Sequence, residues 1–391
     1  MDYSVPFSRD HAPDFFAQFP AAPAVFALRD AAGSEPYVSK TANLRRRLQR
    51  LLAPPESQSK RLNLRERVAK IEHTLTGSDF ESGLLLYKIL RQEFPKTYAK
   101  RLRLRPAPLL RLNLDNEYPR AYVTTRRGRL GGRSLYYGPF RSHSAAEKFM
   151  NDSLDLFKMR RCTFDLNPDP KFPGCIYSEM KMCLAPCFKG CTDEAYAAEV
   201  ARVQAYFDSG GQSLVEEMEA ERERLSTALD FEAAAQQHAK ITKVKSIVSS
   251  GDEICRRLDH LDAVIIQASC VAQPISVALF RFCRGDWAGP QAFALESEDA
   301  GQPLETRLRM TLEQMTPAGA SSVHQFTEQL AILKRWYYRS HKVGEMVLAK
   351  ADGGWPVRKL ANAIARVGKG EKQLESSPEP GNLCAGDDAS G

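Results

Sequence analysis

The sequence predicts an α+β chain assembled from several small domains, and three observations carry that expectation. With 391 residues, 43% of them hydrophobic, the chain is long enough for two to four cores of ordinary size. Short apolar runs bounded by Gly, Pro or Asn alternate with stretches whose apolar residues recur at helical spacing. Charge is unevenly divided: residues 1–161 hold 30 Lys/Arg against 16 Asp/Glu, whereas the remainder holds 25 against 32.

Taken in order, "AVFALRD" and "EPYVSK" read as two strands joined through "AAGS", with Gly33 supplying the turn. "NLRRRLQRLL" is a helix. Leu44, Leu48, Leu51 and Leu52 share one face, Arg45, Arg46 and Arg50 turn away from it, and Pro54-Pro55 ends it. "RLNLRERVAKIEHTL" suits a helix or a strand, and "ESGLLLYKILRQEF" a helix stopped by Pro95. "RAYVTTRRGRLGGRSLYYGPF" reads as strands around a glycine-rich turn, followed by a helix through "HSAAEKFMNDSLDLF". From Leu214 a helical hairpin begins. Leu214, Met218, Leu225 and Leu229 space one amphipathic helix, Asp230 caps the next, and Phe231, Ala234, Ala235 and Ile241 continue the apolar face. "LDAVIIQAS" and "ISVALFRFCRGDWAG" are strands of a last α/β unit, with helices through "ETRLRMTLEQM" and "TEQLAILKRWYY". The tail from about Gln373 has the polar, Pro/Gly/Ser-rich composition of a disordered segment.

No basic segment followed by an apolar run opens the chain, and no apolar stretch nears the roughly 20 residues of a membrane span. A cytoplasmic protein without membrane contact is expected, and there thiols stay reduced. The basic first part is a candidate for phosphate. Lys and Arg that release condensed counterions from nucleic acid give salt-dependent binding, and the bland alternative is a set of solvated helix faces.

Five of the nine cysteines fall within thirty residues. Cys162, Cys175, Cys183 and Cys187 are spaced C-x12-C-x7-C-x3-C, with Cys191 beyond. This is not the pair of close C-x2-C knuckles most zinc ribbons use, and four thiolates also suit an iron-sulfur cluster. Spacing alone leaves zinc and a 4Fe-4S cluster open, with small buried hydrophobes as the remaining reading.

The stretch "YYGPFRSHSAAEKFMNDSLDLFKMRRCTFDLNPDPKFPGCIYSEMKMCLAPCFKGCTDEAY" resembles the cysteine-rich region of the UvrC family, the C subunit of the bacterial excinuclease that incises damaged DNA. Upstream, "VFALRDAAGSEPYVSKTANLRRRLQ" is similar to that family's GIY-YIG nuclease unit. Downstream, "LVEEMEAERERLSTALDFEAAAQQHAKI" is similar to the UVR hairpin that grips UvrB. The resemblance implies a degenerate GIY-YIG domain over residues 1–105, connecting strands and a cysteine-rich 4Fe-4S module over 106–213, a UVR hairpin over 214–250, a partial RNase H-like unit over 258–371 and a tail over 372–391. A shortened relative is therefore expected, because the part that carries the family's RNase H-like carboxylates and its paired helix-hairpin-helix modules finds no counterpart.

The resemblance also assigns roles. Cys162, Cys175, Cys183 and Cys187 would hold the cluster, zinc being the alternative, with Cys191 a bystander. Leu225, Leu229, Phe231, Glu232, Ala234 and Ala235 would meet a UvrB-like helicase, although the family's Arg-Asp pair reads His238-Ala239. Arg45, Arg46 and Arg50 would contact double-stranded DNA. Of the nuclease residues, Tyr37, Lys40 and Arg47 stand in matching places, while Phe26 replaces the first tyrosine, Ser39 a glycine, Leu51 a later tyrosine and Tyr87 the metal-binding glutamate. A phenol is a poor ligand for Mg2+, so that ion enters only if cleavage is retained through another carboxylate. Glu81 and Glu93, six residues to either side of Tyr87, fall on other helix faces. Asp262 and Asp286 are expected to be structural or solvated.

Overall fold

The computed structural model describes residues 1–12, 14–54, 62–271, 275–295 and 302–370, so the expected disordered tail lies outside the described residues. Eleven helices and three four-stranded antiparallel sheets appear among them, an α+β architecture.

The first sheet contains β1 (Tyr3–Pro6), β2 (Ala24–Arg29), β3 (Tyr37–Thr41) and β4 (Lys70–Leu75) in the order β1-β4-β2-β3. The ambiguous stretch before residue 75 thus becomes a loop and a strand. Helix α1 (Leu44–Leu52) starts where the Asn43 side chain accepts the Arg46 N–H. Its four leucines are buried with Phe16, Phe19, Phe26 and Ile71 on one side of this sheet. Helix α2 (Asp79–Glu93) is capped by Ser78, packs on β2 and β3, and is followed by α3 (Tyr98–Leu102).

The middle sheet contains β5 (Leu109–Asn113), β6 (Arg120–Thr124), β7 (Leu135–Gly138) and the short β8 (Arg256–Arg257), in the order β6-β5-β7-β8. Its core includes Leu154 of α4 (His143–Leu154) and Tyr196, Val203 and Tyr206 of α6 (Asp193–Asp208). Between these helices the cysteine-rich segment forms only α5 (Ile176–Glu179) and a turn at Pro186–Phe188. Lys181, Ala185 and Lys189 all adopt positive φ there.

The helical hairpin is present as α7 (Gln212–Thr227) and α8 (Phe231–Ser249), with Asp230 accepting the Ala233 N–H as its cap. Its apolar face is divided between two environments. Leu214, Val215, Ile241 and Val244 at the open end are buried in the middle core, whereas Leu229 and Phe231 at the tip are 73% and 65% exposed.

The last sheet is β11-β10-β9-β12, from β9 (Ala263–Ala268), β10 (Ser276–Cys283), β11 (Asp286–Ala294) and β12 (Glu345–Leu348). Both faces are covered. Val264, Ile266, Val277 and Leu279 pack with α9 (Leu304–Gln314) and α11 (Val357–Gly368). Ile265, Phe280 and Phe282 pack with α10 (Val323–Tyr337) and with Phe80, Leu84, Tyr87 and Leu90 of α2. The alternation that sends successive strand residues to opposite faces thus joins the first unit to the last in one core. Gly77 is required at this seam, since a Cβ there would lie 2.2 Å from the Ala268 carbonyl oxygen. Among the described residues no helix is long and apolar enough to cross a membrane.

Candidate functional site

The nuclease-like residues are distributed over the two faces of the first sheet. On the α1 side, Tyr37 Oη accepts a hydrogen bond from Arg47 Nη2 at 2.8 Å. The Phe26 ring is fully buried, 6.1 Å from that of Tyr37, and offers no hydroxyl. Of the cations expected to meet phosphate, Arg45 instead donates to the main-chain carbonyls of Phe19 and Ala17 at 2.7 and 3.1 Å. Arg46 and Arg50 are exposed.

On the α2 side, Lys40 Nζ sits 2.7 Å from Asp79 Oδ1, and Asp79 also pairs with Arg339. These groups, with Tyr87, Arg101, Arg335 and Trp336, line a cavity of about 490 Å³ between the first and last units.

Tyr87 itself is 2% exposed. Its hydroxyl donates to Glu328 Oε2 at 3.0 Å, and the Tyr98 hydroxyl donates to the same oxygen at 3.1 Å. His324 Nε2 lies 3.2 Å from the other oxygen of Glu328. Burial, then the Glu328 charge, pushes the Tyr87 hydroxyl well above the ordinary tyrosine range, so it stays protonated and acts as a donor. Sequence reasoning missed Glu328. It lies 241 residues from Tyr87, and its only local signal is an acid on the apolar face of a helix.

The neighbouring carboxylates are occupied. Glu81 accepts the Gly77 N–H at 2.8 Å, and burial raises it above the usual carboxylate range. Glu93 receives Arg29 at 2.6 Å. Asp262 is paired with Arg281 at 2.6 Å. Asp286 accepts the Trp287 N–H and the Gln329 amide. Both aspartates are structural, as their sequence contexts suggest.

In the cysteine-rich segment, burial pushes the Cys183 thiol up to about 11. The Ala185 N–H works against that rise, and negative charge on Cys162, Cys187 and Cys175 adds to it. Burial likewise raises Cys187, which feels Cys175 and Cys162. The four thiols therefore act on one another, and a bound metal would have to displace their protons. Among the described residues no three His, Cys, Asp or Glu side chains stand close enough to hold one metal ion. By residue type alone, four thiols are the donors of a metal–thiolate group. Arg160 Nη1 reaches Cys162 Sγ at 3.3 Å. Cys191 packs against the middle core.

This arrangement defines an α+β chain whose first unit carries the Tyr37–Arg47 pair and the buried Tyr87 and whose middle unit carries the cysteine-rich segment. The description "UvrC-like GIY-YIG domain" matches residues 22–98, and "UvrC/Cho excinuclease, middle domain" matches residues 107–206. The chain belongs to the UvrC family. Among its relatives, the UvrABC system protein C of Dehalococcoides mccartyi is 23% identical over 354 residues, covering 89% of this chain and 57% of that protein. Those of Symbiobacterium thermophilum and Gloeobacter violaceus are 28% and 26% identical, covering 72% and 90% of this chain and 44% and 56% of theirs. The chain thus spans about half the length of the curated relatives it matches. No solved structure matches it.

Proposed function

We propose that this chain acts in bacterial nucleotide excision repair as a DNA-binding, UvrB-docking member of its family, and that its GIY-YIG unit holds phosphate without cutting it. One observation carries the reading. The residue at the family's metal-ligand position, Tyr87, is buried and spends its hydroxyl on Glu328. Cleavage needs charge neutralised on the leaving oxygen, and losing one such electrostatic element typically lowers the rate about 100- to 1000-fold. With Phe26 in place of a tyrosine, general-base help worth about 100- to 10000-fold is missing as well.

The exposed Arg46 and Arg50 support sequence-independent phosphate contacts, which fix register and not base identity. The hairpin tip supports docking on a UvrB-like helicase. Leu229 and Phe231 are exposed there, Leu225 and Ala234 are half-buried, and Glu232 and Ala235 are exposed beside them. Cys162, Cys175, Cys183 and Cys187 would hold a 4Fe-4S cluster, with zinc the alternative. Such a group supplies cross-links that fold a loop poor in apolar contacts.

The purified chain should retard duplex DNA at low salt, release it as salt rises, and leave the strands intact with Mg2+ or Mn2+. A second reading, a specialised excinuclease subunit, has Glu328 in its favour, since that residue brings a carboxylate to the altered position. Metal-dependent nicking that disappears with Glu328→Gln would establish it and overturn the first.

A further inference from the structure

We propose that the cavity between the first and last units binds one phosphorylated nucleotide, free or at the end of a strand. The phosphate lies on Arg335, Arg339 and Lys40, and the base lies against the apolar wall beside Trp336. This binding is separate from the phosphate contacts at Arg46 and Arg50.

The cavity has a volume of about 490 Å³, within the roughly 300–1,000 Å³ of small-molecule sites. Its lining divides by chemistry. Phe80 and Leu86 of α2, Leu102 and Leu104 at the end of α3, and Ile332 and Trp336 of α10 make the apolar part. The Trp336 indole is fixed there by its Nε1–H, which donates to the Val343 carbonyl at 3.2 Å. The polar part is Lys40, Arg101, Arg335 and Arg339 with one carboxylate, Asp79. Asp79 is shared by Lys40 and Arg339, and Arg101 pairs with Glu35 at 2.9 Å. Four cations thus face two carboxylates, and among the described residues two positive charges are left over. A phosphate monoester brings about that much negative charge at neutral pH.

Arg335 is the cation best placed to take a ligand. It is exposed, its Nη2 donates to the Arg103 carbonyl at 3.2 Å, and among the described residues no carboxylate pairs with it. That bond orients the planar guanidinium and leaves Nη1 and Nε for the two-point grip such a group makes on phosphate. Beside it, burial and then the Arg105 charge lower the pKa of Lys334, so positive charge is in excess along this edge of α10.

Gly83 adds an independent observation. It stands inside α2 and lines the cavity. Glycine within a helix costs stability relative to alanine, and here no close approach demands it, because a Cβ would meet only Lys40 Nζ, at 4.0 Å. The missing side chain leaves the cavity open beside the Lys40 ammonium.

Calorimetric titration of the full chain with deoxyadenosine monophosphate should show saturable binding at one site. Deoxyadenosine and inorganic phosphate should each bind about tenfold more weakly or not at all, and Arg335→Ala should weaken the monophosphate about tenfold, the loss of one charge-assisted hydrogen bond. Gly83→Met, which fills the cavity, should abolish binding, and Arg309→Ala on α9 should leave it unchanged. A short single strand with a terminal phosphate, compared with the same strand lacking it, separates the two sources of the ligand. A preference for the phosphorylated strand that Arg335→Ala removes assigns the cavity to strand ends, and binding of the mononucleotide alone assigns it to free nucleotides. Equal affinity for deoxyadenosine and its monophosphate, or mononucleotide binding unchanged by Arg335→Ala, overturns the inference. So does a chain that neither takes up the mononucleotide nor prefers the phosphorylated strand. If Gly83→Met does not fold, Arg335→Ala decides alone, since that side chain is exposed. Mononucleotide binding in a chain that fails to retard duplex DNA overturns the DNA reading and leaves this one standing.

Discussion

Replacing Tyr87 by glutamate should destabilise this chain. In the parent, the Glu328 carboxylate is buried and accepts hydrogen bonds from Tyr87 at 3.0 Å and Tyr98 at 3.1 Å. Tyr87→Phe removes one donor to a charged acceptor, which typically costs about 1.5–3 kcal/mol. Tyr87→Glu removes the same donor and adds a second carboxylate. At about 5–6 Å and an effective dielectric near 20, the added repulsion is about 3 kcal/mol, so the total approaches about 5 kcal/mol, the lower bound of a whole domain's stability. The carboxyl pair would have its folded-state pKa raised. Such a group contributes stability below its unfolded pKa, near 4.3, and that contribution is lost as pH rises through the folded value. The variant should therefore recover stability on acidification, and Glu328→Gln in the same chain should relieve it at neutral pH. Urea unfolding followed by tryptophan emission suits the measurement, because Trp287 and Trp336 pack on Phe80 in this seam, ring centroids 5.2 and 5.8 Å away. A Tyr87→Glu chain as stable at pH 7 as Tyr87→Phe would refute the reasoning.

Serine at Cys162, Cys175, Cys183 or Cys187 should lose iron and solubility, whereas Cys191→Ser should keep both; iron analysis of the five variants checks this. Phe231→Ala should abolish a pull-down with a UvrB-like helicase while leaving the melting temperature within a few degrees, since the ring is 65% exposed; undiminished capture would place the contact elsewhere. Burial lowers the pKa of His73, whose ring lies between Tyr3 and Phe19 at 5.1 and 5.6 Å. A histidine with a lowered folded-state pKa contributes stability above its unfolded value, near 6.5, and loses it as pH falls. His73→Gln should therefore flatten the decline in unfolding free energy between about pH 7 and 5, and an equally steep decline would exclude His73 as its source.

Local pattern carried much of this fold. The leucines of α1, the Asp230 cap and the strands about Gly33 lie where periodicity and turn chemistry put them, because each is decided by residues within one or two turns. Strand β1 escaped notice because it is a four-residue edge strand, largely exposed, with no apolar alternation. Helix α6 was also missed. It carries Tyr196, Val200, Val203 and Tyr206, but its start adjoins the cysteine run and its alanines blur the apolar face. Candidate site residues were legible by type, yet not by assembly. Nothing local says that Arg45 spends its donors on the carbonyls of Phe19 and Ala17, or that Glu328 waits for Tyr87. Such pairings are fixed by which faces pack, and packing joins residues hundreds of positions apart.

That same seam explains why the altered nuclease position and the joined units belong to one account. A glutamate on α2 would meet Glu328 where the Tyr87 hydroxyl now donates to it at 3.0 Å, and burial disfavours two facing carboxylates that are both ionised. A tyrosine fills the space and supplies the donor that the buried carboxylate needs. At the edge of the seam Asp79 pairs with Lys40 of its own unit and with Arg339 of the last, so the Asp79–Arg339 pair ties the two units. Tyr87 and Asp79 thus hold the first and last units in contact. A glutamate at position 87 therefore requires reworking α10 as well, because the two helices would then share the charge.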